Sequence, residues 1–248
     1  RFQPTPALLD DLAARVGPID GVVVASPANP TGSMLDGQAL AALAGWCREH
    51  GARLISDEIY HGIVYGAAAA TALVFGDEAI VVNSFSKYYA MTGWRIGWLV
   101  LPERLSRAVE CLAQNLYISP PSLSQHAALR AFDCADLLDG HVARYAANRA
   151  ILLDALPRAG FLRPAPADGA FYLYAGVAEQ DPDSPELCGR LLAEAAVAIT
   201  PGIDFDPQRG QRFVRFSYAG ATAEIEEAAA RLLAWRRCPD PSEHRQAL

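Results

Sequence analysis

The sequence predicts an α/β protein in which a mostly parallel central sheet is flanked by helices and followed by a smaller C-terminal α/β domain. Short apolar runs alternate with longer segments whose apolar residues recur at helical spacing, which is typical of strands joined by crossover helices. Polar residues follow directly after three of these apolar runs, where ligands bind in parallel sheets. The predicted domain boundary lies after residue 118, which gives a larger domain over 1–118 and a smaller one over 119–248.

The predicted elements alternate along the chain in the order that such a fold requires. In the larger domain, the apolar runs predicted as strands are 21–25, 53–56, 79–83 and 95–101. The segments with helical periodicity are 37–50, 103–116, 122–132 and 137–156. Toward the C-terminus, the predicted strands are 171–174 and 212–217, and the predicted helices are 185–197 and 223–236. Because parallel strands need a crossover connection, the helix after the first run favours a parallel sheet.

The composition is that of a globular protein and narrows the choice of partners. Apolar residues make up 52% of the chain and the net charge is -7, without the basic block that nucleic-acid binding requires. No apolar run reaches the roughly 20 residues needed to span a bilayer, and no signal peptide pattern is visible. The cysteines have neither a C-x-x-C pair nor metal-site spacing, so we expect a cytoplasmic protein without a metal.

Lys87 stands in a run of hydroxyl, amine and guanidinium groups that follows the third apolar run. Ser84, Ser86 and Lys87 lie close together, and Arg95 follows eight residues after the lysine. Lysine amines form Schiff bases with carbonyl cofactors, and pyridoxal phosphate (PLP) carries both an aldehyde and a phosphate. The planar fork of an arginine can donate two hydrogen bonds to phosphate oxygens. Although a single lysine is most often a solvated surface charge, this context predicts a PLP site.

Two further motifs follow predicted strands. Asn29 lies in the run Ser-Pro-Ala-Asn-Pro-Thr-Gly after the first strand, and Asp57 and Tyr60 lie in Asp-Glu-Ile-Tyr after the second. Taken singly, the first motif is an ordinary turn and an Asp at a strand end is commonly a helix cap. The carboxyl ends of parallel strands meet at one edge of the sheet, however, so Asn29, Asp57 and Ser84 are expected in one crevice.

Together these motifs resemble those of the class I/II aminotransferases, which belong to the fold type I PLP enzymes. The family pattern of Ser, any residue, a small residue and Lys, with Arg eight residues later, is matched by Ser84, Ser86, Lys87 and Arg95. The extension over 91–98 is similar to the branch with many bacterial aspartate and aromatic aminotransferases. The resemblance implies a PLP-dependent transferase-like fold with an incomplete large domain. Similar enzymes carry a long segment before the Asn-Pro-Thr-Gly motif, so we expect this chain to be a fragment.

The resemblance also implies a role for each matched residue. The cofactor-binding residues that it implies are Asn29, Asp57, Tyr60, Ser84, Ser86, Lys87 and Arg95. Asp57 would face the pyridine nitrogen, where a carboxylate favours the protonated ring that accepts electrons from the substrate. Lys87 would carry PLP and then move the substrate proton. In the alternating run 212–219, Arg215 would pair with the α-carboxylate of the substrate.

The activity implied by the resemblance is transfer of an amino group between an L-amino acid and a 2-oxo acid through a PLP Schiff base on Lys87. The resemblance further implies a homodimer. Two alternatives remain open: a PLP-dependent C-S lyase, because the same carbanion can eliminate, and a non-catalytic PLP-binding or regulatory module or inactive fragment. The substrates are not identified, because the residues that select the side chain are expected outside this chain.

Overall fold

The computed structural model describes residues 3–178 and 183–237 of the chain. Its contacts divide the chain into two compact units. The first unit consists mainly of Ser33–Val142 with the residues before Pro30 and the short segment Asp168–Ala170. The second unit consists mainly of Ala143–Ala167 and the residues from Phe171 onward. The division therefore lies within a long helix, further along the chain than the predicted boundary after residue 118.

A four-stranded sheet forms the centre of the first unit. Its strands are β1 (Gly21–Ala25), β2 (Arg53–Asp57), β3 (Ile80–Ser84) and β4 (Gly97–Val100), in that order across the sheet. The first three are parallel, as predicted, whereas β4 is antiparallel to β3. The connection before β4 contains only a short 3₁₀ turn, Thr92–Trp94. Strand β4 therefore runs antiparallel to β3, since a parallel neighbour would need a crossover helix between the two strands.

The helices of this unit contribute unequally to its core. They are α1 (Pro6–Val16), α2 (Gly37–Glu49), α3 (Glu103–Leu116), α4 (Ser122–Ala131) and the first part of α5 (Ala135–Arg158). Among them, α2 and, to a smaller extent, α1 supply the core. Helix α1 was not predicted, although Thr5 caps it by accepting a hydrogen bond from the Leu8 backbone. Leu40 and Leu43 on one face of α2 are fully buried in one apolar cluster with Val22 and Val24 of β1. Among the described helices, none is long and apolar enough to cross a membrane.

The second unit has its own antiparallel sheet. Its strands are β5 (Tyr172–Gly176), β6 (Thr200–Pro201) and β7 (Phe213–Ser217), and β7 lies in the middle. The remaining part of α5 is followed by α6 (Ser184–Ala195) and α7 (Thr222–Arg237). The two-residue strand β6 was not predicted, because it is too short to show an alternating pattern. The predicted fold class, a mostly parallel sheet with helices and a smaller α/β unit, is confirmed.

Candidate active site

The carboxyl ends of three parallel strands bring most of the predicted site residues to one edge of the first unit. Asp57 is the last residue of β2 and pairs in register with Ala25, the last residue of β1. Ser84 is the last residue of β3, which lies beside β2. Asn29 is exposed in the turn that follows β1. This is the edge at which parallel sheets bind ligands.

The turn that carries Lys87 is held by hydroxyl groups. The Ser84 hydroxyl oxygen accepts a hydrogen bond from the Ser86 backbone N–H at 3.0 Å. The same oxygen lies 2.9 Å from the Ser86 hydroxyl and 3.1 Å from the Ile96 carbonyl. The Thr92 hydroxyl donates to the Ser86 carbonyl at 2.7 Å. The backbone around Lys87 is therefore fixed from both sides, and two serine hydroxyls lie next to each other.

Arg95 is joined to the Lys87 turn through Thr92. The Arg95 Nη1 donates to the Thr92 carbonyl at 2.7 Å, and the side chain is exposed. Arg95 itself adopts a left-handed conformation with φ 51, and the chain then enters β4 at Gly97. A Cβ at Gly97 would lie 2.7 Å from the Asn83 carbonyl oxygen, so only glycine allows β4 to approach β3 beside Ser84.

The turn after β2 brings a carboxylate and an aromatic ring to the same edge. The Asp57 Oδ1 accepts a hydrogen bond from the Ile59 backbone at 3.0 Å, which fixes the direction of its carboxylate. Tyr60 is buried, with 4% of its surface exposed. The Lys87 Nζ lies 5.7 Å from the centre of the Tyr60 ring. The structure thus brings Lys87 and Tyr60 together, as the sequence motifs require.

Glu58 is a buried acid that was not among the predicted site residues. Its side chain is 3% exposed, and Oε1 accepts from the Ser56 hydroxyl at 3.1 Å and from the Ala72 backbone at 2.8 Å. Its Oε2 lies 3.4 Å from the His61 Nδ1. Glu58 therefore supports the Asp57–Tyr60 turn through its contacts with Ser56, Ala72 and His61.

A second contact links this turn to the Lys87 turn. Gly62 has φ +90, and a Cβ there would lie 2.6 Å from the ring of Tyr88, the neighbour of Lys87. The Tyr88 hydroxyl donates to the Asp139 Oδ1 at 2.6 Å. Burial, helped by that carboxylate, raises the pKa of Tyr88 to about 12. Tyr88 thus stays protonated at neutral pH and packs over the glycine as a fixed neighbour of the lysine.

Arg215 belongs to the second unit and is described by its contacts there. It lies in β7 opposite Tyr174 of β5 on one side and Thr200 of β6 on the other. Its Nη2 donates to the Thr200 hydroxyl at 3.2 Å. Its guanidinium carbon lies 4.4 Å from the centre of the Tyr172 ring and 4.7 Å from that of Phe205. A strand and two aromatic rings therefore hold this cation.

The small number of lysines is a further signal that the sequence contains. Lys87 is the only lysine of the 248 residues, and the other basic residues among the 21 Lys and Arg are arginines. Arginine does not lose its proton in proteins, whereas a lysine amine can do so and then attack a carbonyl. The chain thus has its one side-chain amine at the end of β3, in the turn built by Ser84 and Ser86.

This donor set fits a phosphorylated aldehyde that carries a basic ring nitrogen. Two hydroxyls and a guanidinium joined through Thr92 suit a phosphate, and the amine of Lys87 suits the aldehyde. The carboxylate of Asp57, at the end of the adjacent strand, suits a protonated ring nitrogen. The fold and these side chains are chemically suited to such a cofactor at the carboxyl edge of an α/β sheet.

Comparison with known proteins identifies the family. The family model "Aminotransferase class I and II" matches residues 3–232. A valine–pyruvate aminotransferase of Mycobacterium tuberculosis is 54% identical over 95% of this chain and 61% of its own length. The chain belongs to the class I and II aminotransferase family, whose members use pyridoxal phosphate.

Solved structures agree with this assignment. An aminotransferase from Mycobacterium tuberculosis has a TM-score of 0.89 at 54% identity and covers 94% of this chain and 61% of its own. Aspartate aminotransferase from Thermus thermophilus bound to maleate has a TM-score of 0.83 at 32% identity, over 94% of this chain and 60% of its own. The chain therefore spans about three-fifths of the length of the relatives it matches.

Proposed function

We propose that the protein containing this chain is an aminotransferase that moves an amino group between an L-amino acid and a 2-oxo acid. One observation carries the proposal most strongly. The single lysine of the chain, Lys87, follows directly after the hydrogen-bonded pair Ser84 and Ser86. Its Nζ lies 5.7 Å from the centre of the Tyr60 ring. The strand before it pairs with the strand that ends at Asp57. An amine, a carboxylate and hydroxyl groups at adjacent strand ends are the groups that amino transfer with PLP requires.

In this proposal Lys87 has two tasks. Bound PLP supplies an aldehyde for attachment of amines and a ring that accepts an electron pair. The Lys87 amine would hold the cofactor and, once an incoming amino acid has displaced it, would serve as the general base for the substrate Cα proton. The same amine would then serve as the general acid that returns this proton. The hydrogen bonds of Ser84 and Thr92 restrain the backbone that carries the amine.

The other residues bind and orient. Asp57 would hold a proton on the ring nitrogen of the cofactor, because its negative charge favours the protonated ring. Tyr60 and Asn29 would donate hydrogen bonds to the phenolic oxygen, and Ser84, Ser86 and Arg95 would bind the phosphate. In the second unit, Arg215 binds the α-carboxylate of the substrate through its planar guanidinium.

The most similar of these relatives suggests a first pair of substrates. Since the relative at 54% identity is named a valine–pyruvate aminotransferase, valine and pyruvate are the donor and acceptor to test first. We further propose a cytoplasmic homodimer without nucleic-acid or membrane partners. The net charge of -7 supports the absence of a nucleic-acid partner. The exposed apolar side chains of the first unit, among them Leu112, Leu116 and Ile118, support a subunit interface.

The test uses the full-length protein with PLP. Absorbance is recorded before and after addition of valine, and borohydride reduction is followed by peptide mass analysis. We expect the cofactor to be attached to the peptide containing Lys87, and Lys87→Ala to lose that attachment and at least about a thousandfold in turnover. Identical spectra and identical labelling of wild type and Lys87→Ala would reject the role of Lys87. Release of pyruvate, ammonia and methanethiol from added S-methylcysteine, without a 2-oxo acid, would instead favour the C-S lyase, because this substrate carries the β-sulfur leaving group that valine lacks.

A further inference from the structure

Two aromatic rings from different parts of the second unit lie beside the guanidinium of Arg215. Tyr172 is in β5, and Phe205 follows β6 after a single 3₁₀ turn. Their ring centres lie 4.4 Å and 4.7 Å from the guanidinium carbon. Tyr172 packs against Phe171 at 4.8 Å, whereas Phe205 packs against Tyr174 at 6.3 Å. Different neighbours therefore support the two rings that lie beside the cation.

A third side chain fixes the orientation of the guanidinium. The Thr200 hydroxyl accepts from the Arg215 Nη2 at 3.2 Å, and Thr200 is paired with Arg215 in the β6–β7 register. A long and flexible side chain is thus restrained by one hydrogen bond and two rings. Its rotamer freedom is lost when the protein folds rather than when a ligand binds, and a preorganised group binds its ligand more tightly.

The rings also limit the shape of an anion that can reach Arg215. The face of an aromatic ring carries partial negative charge, so it attracts the cation and repels anionic oxygens. A carboxylate is planar, and its two oxygens can lie in the plane of the guanidinium. A tetrahedral oxyanion has a third oxygen outside that plane. Since Tyr172 and Phe205 occupy the space beside the guanidinium, this third oxygen would approach a ring.

We propose that Tyr172 and Phe205 are positioning residues that make the Arg215 site selective for planar carboxylates over tetrahedral oxyanions of equal charge. The proposal rests on the proposed role of Arg215 as the carboxylate anchor. It extends that role, because it assigns the selectivity to the rings rather than to the guanidinium. Phe205 is the better residue to change, since it is half-buried and Tyr172 is 7% exposed.

The experiment compares two unreactive anions of the same charge and the same alkyl group, 3-methylbutanoate and 2-methylpropane-1-sulfonate. Isothermal titration measures both dissociation constants on the full-length protein loaded with PLP. We expect wild type to bind the carboxylate at least about tenfold more tightly. Phe205→Leu should weaken carboxylate binding by about 2- to 30-fold, the range of a cation–π contact, and reduce the preference. Phe205→Tyr retains the ring and should retain the preference.

Two controls separate the possible outcomes. Phe213→Leu removes a ring of the same sheet, which stacks on Tyr174 at 5.1 Å, and should leave the ratio of the two constants unchanged. If Phe205→Leu also leaves the ratio unchanged while Arg215→Lys weakens carboxylate binding, the selectivity proposal fails and the anchor remains. If Arg215→Lys has no effect on carboxylate binding, the proposed anchor itself fails. Should Phe205→Leu fail to fold, Phe205→Met gives the second test, because it removes the ring while keeping a large apolar side chain; it too should reduce the preference for the carboxylate.

Discussion

Lys87 in the first unit and Arg215 in the second unit are both cations with a proposed role, but the structure restrains them at different points. At Lys87 the backbone is fixed, by Ser84 and by the Thr92 hydroxyl on the Ser86 carbonyl. At Arg215 the end of the side chain is fixed, by Thr200 and two rings. A group that orients a substrate benefits from a fixed terminal atom, because a preorganised group binds its ligand more tightly. The restraint at the end of Arg215 therefore supports its proposed binding role, and the fixed backbone at Lys87 supports the proposed positioning of its amine.

Glu58→Leu should give the largest effect, because it removes the support of the first unit's turn. The Ala72 backbone N–H and the Ser56 hydroxyl would lose their buried acceptor. We expect the free energy of unfolding to fall by about 2–4 kcal/mol, measured by urea denaturation. Glu58→Gln keeps an acceptor oxygen and should lose less than about 1.5 kcal/mol. Equal losses in the two variants would show that the acceptor does not matter.

The corresponding support in the second unit is Asn148, which is fully buried. Its amide nitrogen donates to the carbonyls of Tyr218 and Gly220 at 3.0 Å and 3.1 Å, just after the strand that carries Arg215. Asn148→Leu leaves both carbonyls without this donor, so we expect a loss of about 1–3 kcal/mol in unfolding free energy. Asn115→Leu is the control, since its bond to the Cys111 carbonyl is exposed and should contribute less than about 0.5 kcal/mol.

Thr92→Val tests whether the backbone of the Lys87 turn needs its restraint. The substitution removes the hydrogen bond to the Ser86 carbonyl at nearly constant volume. We expect a loss of about 1 kcal/mol in stability and a severalfold higher Kd for PLP, measured by fluorescence titration of the apoprotein. Thr71→Val removes a hydroxyl that accepts from the Leu73 backbone at an exposed helix cap, and it should leave the Kd for PLP unchanged. A change of Kd in both variants would argue against a specific restraint.

The smallest expected effect concerns Tyr88, the neighbour of Lys87. Burial and the Asp139 carboxylate raise its pKa from 10.0 to about 12. Protonated Tyr88 therefore contributes fully to the free energy of unfolding below pH 10, and this contribution is lost as the pH rises toward 12. The difference in phenolate absorbance between wild type and Tyr88→Phe should have its midpoint near the raised pKa. In the presence of Asp139→Asn the midpoint of the same difference should fall to a lower pH. An unchanged midpoint would mean that burial alone sets the pKa of Tyr88.

The positions of the candidate residues in the first unit can be predicted from the sequence because its motifs are local. Asn29, Asp57, Ser84 and Lys87 each follow an apolar run, and parallel strands bring such positions to one edge. The contacts that support them depend on packing between distant segments. The Glu58 carboxylate accepts from a backbone group 14 residues away, and Phe205 reaches Arg215 from another element. No periodicity in a single segment indicates such partners.

The direction of β4 could not be predicted for the same kind of reason. The mostly apolar run 95–101 predicts a strand, but its composition is the same for a parallel and for an antiparallel strand. Its direction depends on the 3₁₀ turn Thr92–Trp94, on the left-handed Arg95 and on the close approach that Gly97 allows. These are properties of backbone geometry, and residue periodicity does not report them.

The hydrogen bond from the Ala72 backbone to Glu58 makes one amide a reporter of the state of the turn after β2. Ala72 is fully buried and begins the short helix Ala72–Phe75, well outside the cofactor motifs. Its amide can exchange with solvent deuterium only when this contact opens. The exchange rate at this single position therefore measures how often the Asp57–Tyr60 turn loses its support. Slower exchange on addition of PLP would reveal rigidification of the turn without any optical signal from the cofactor.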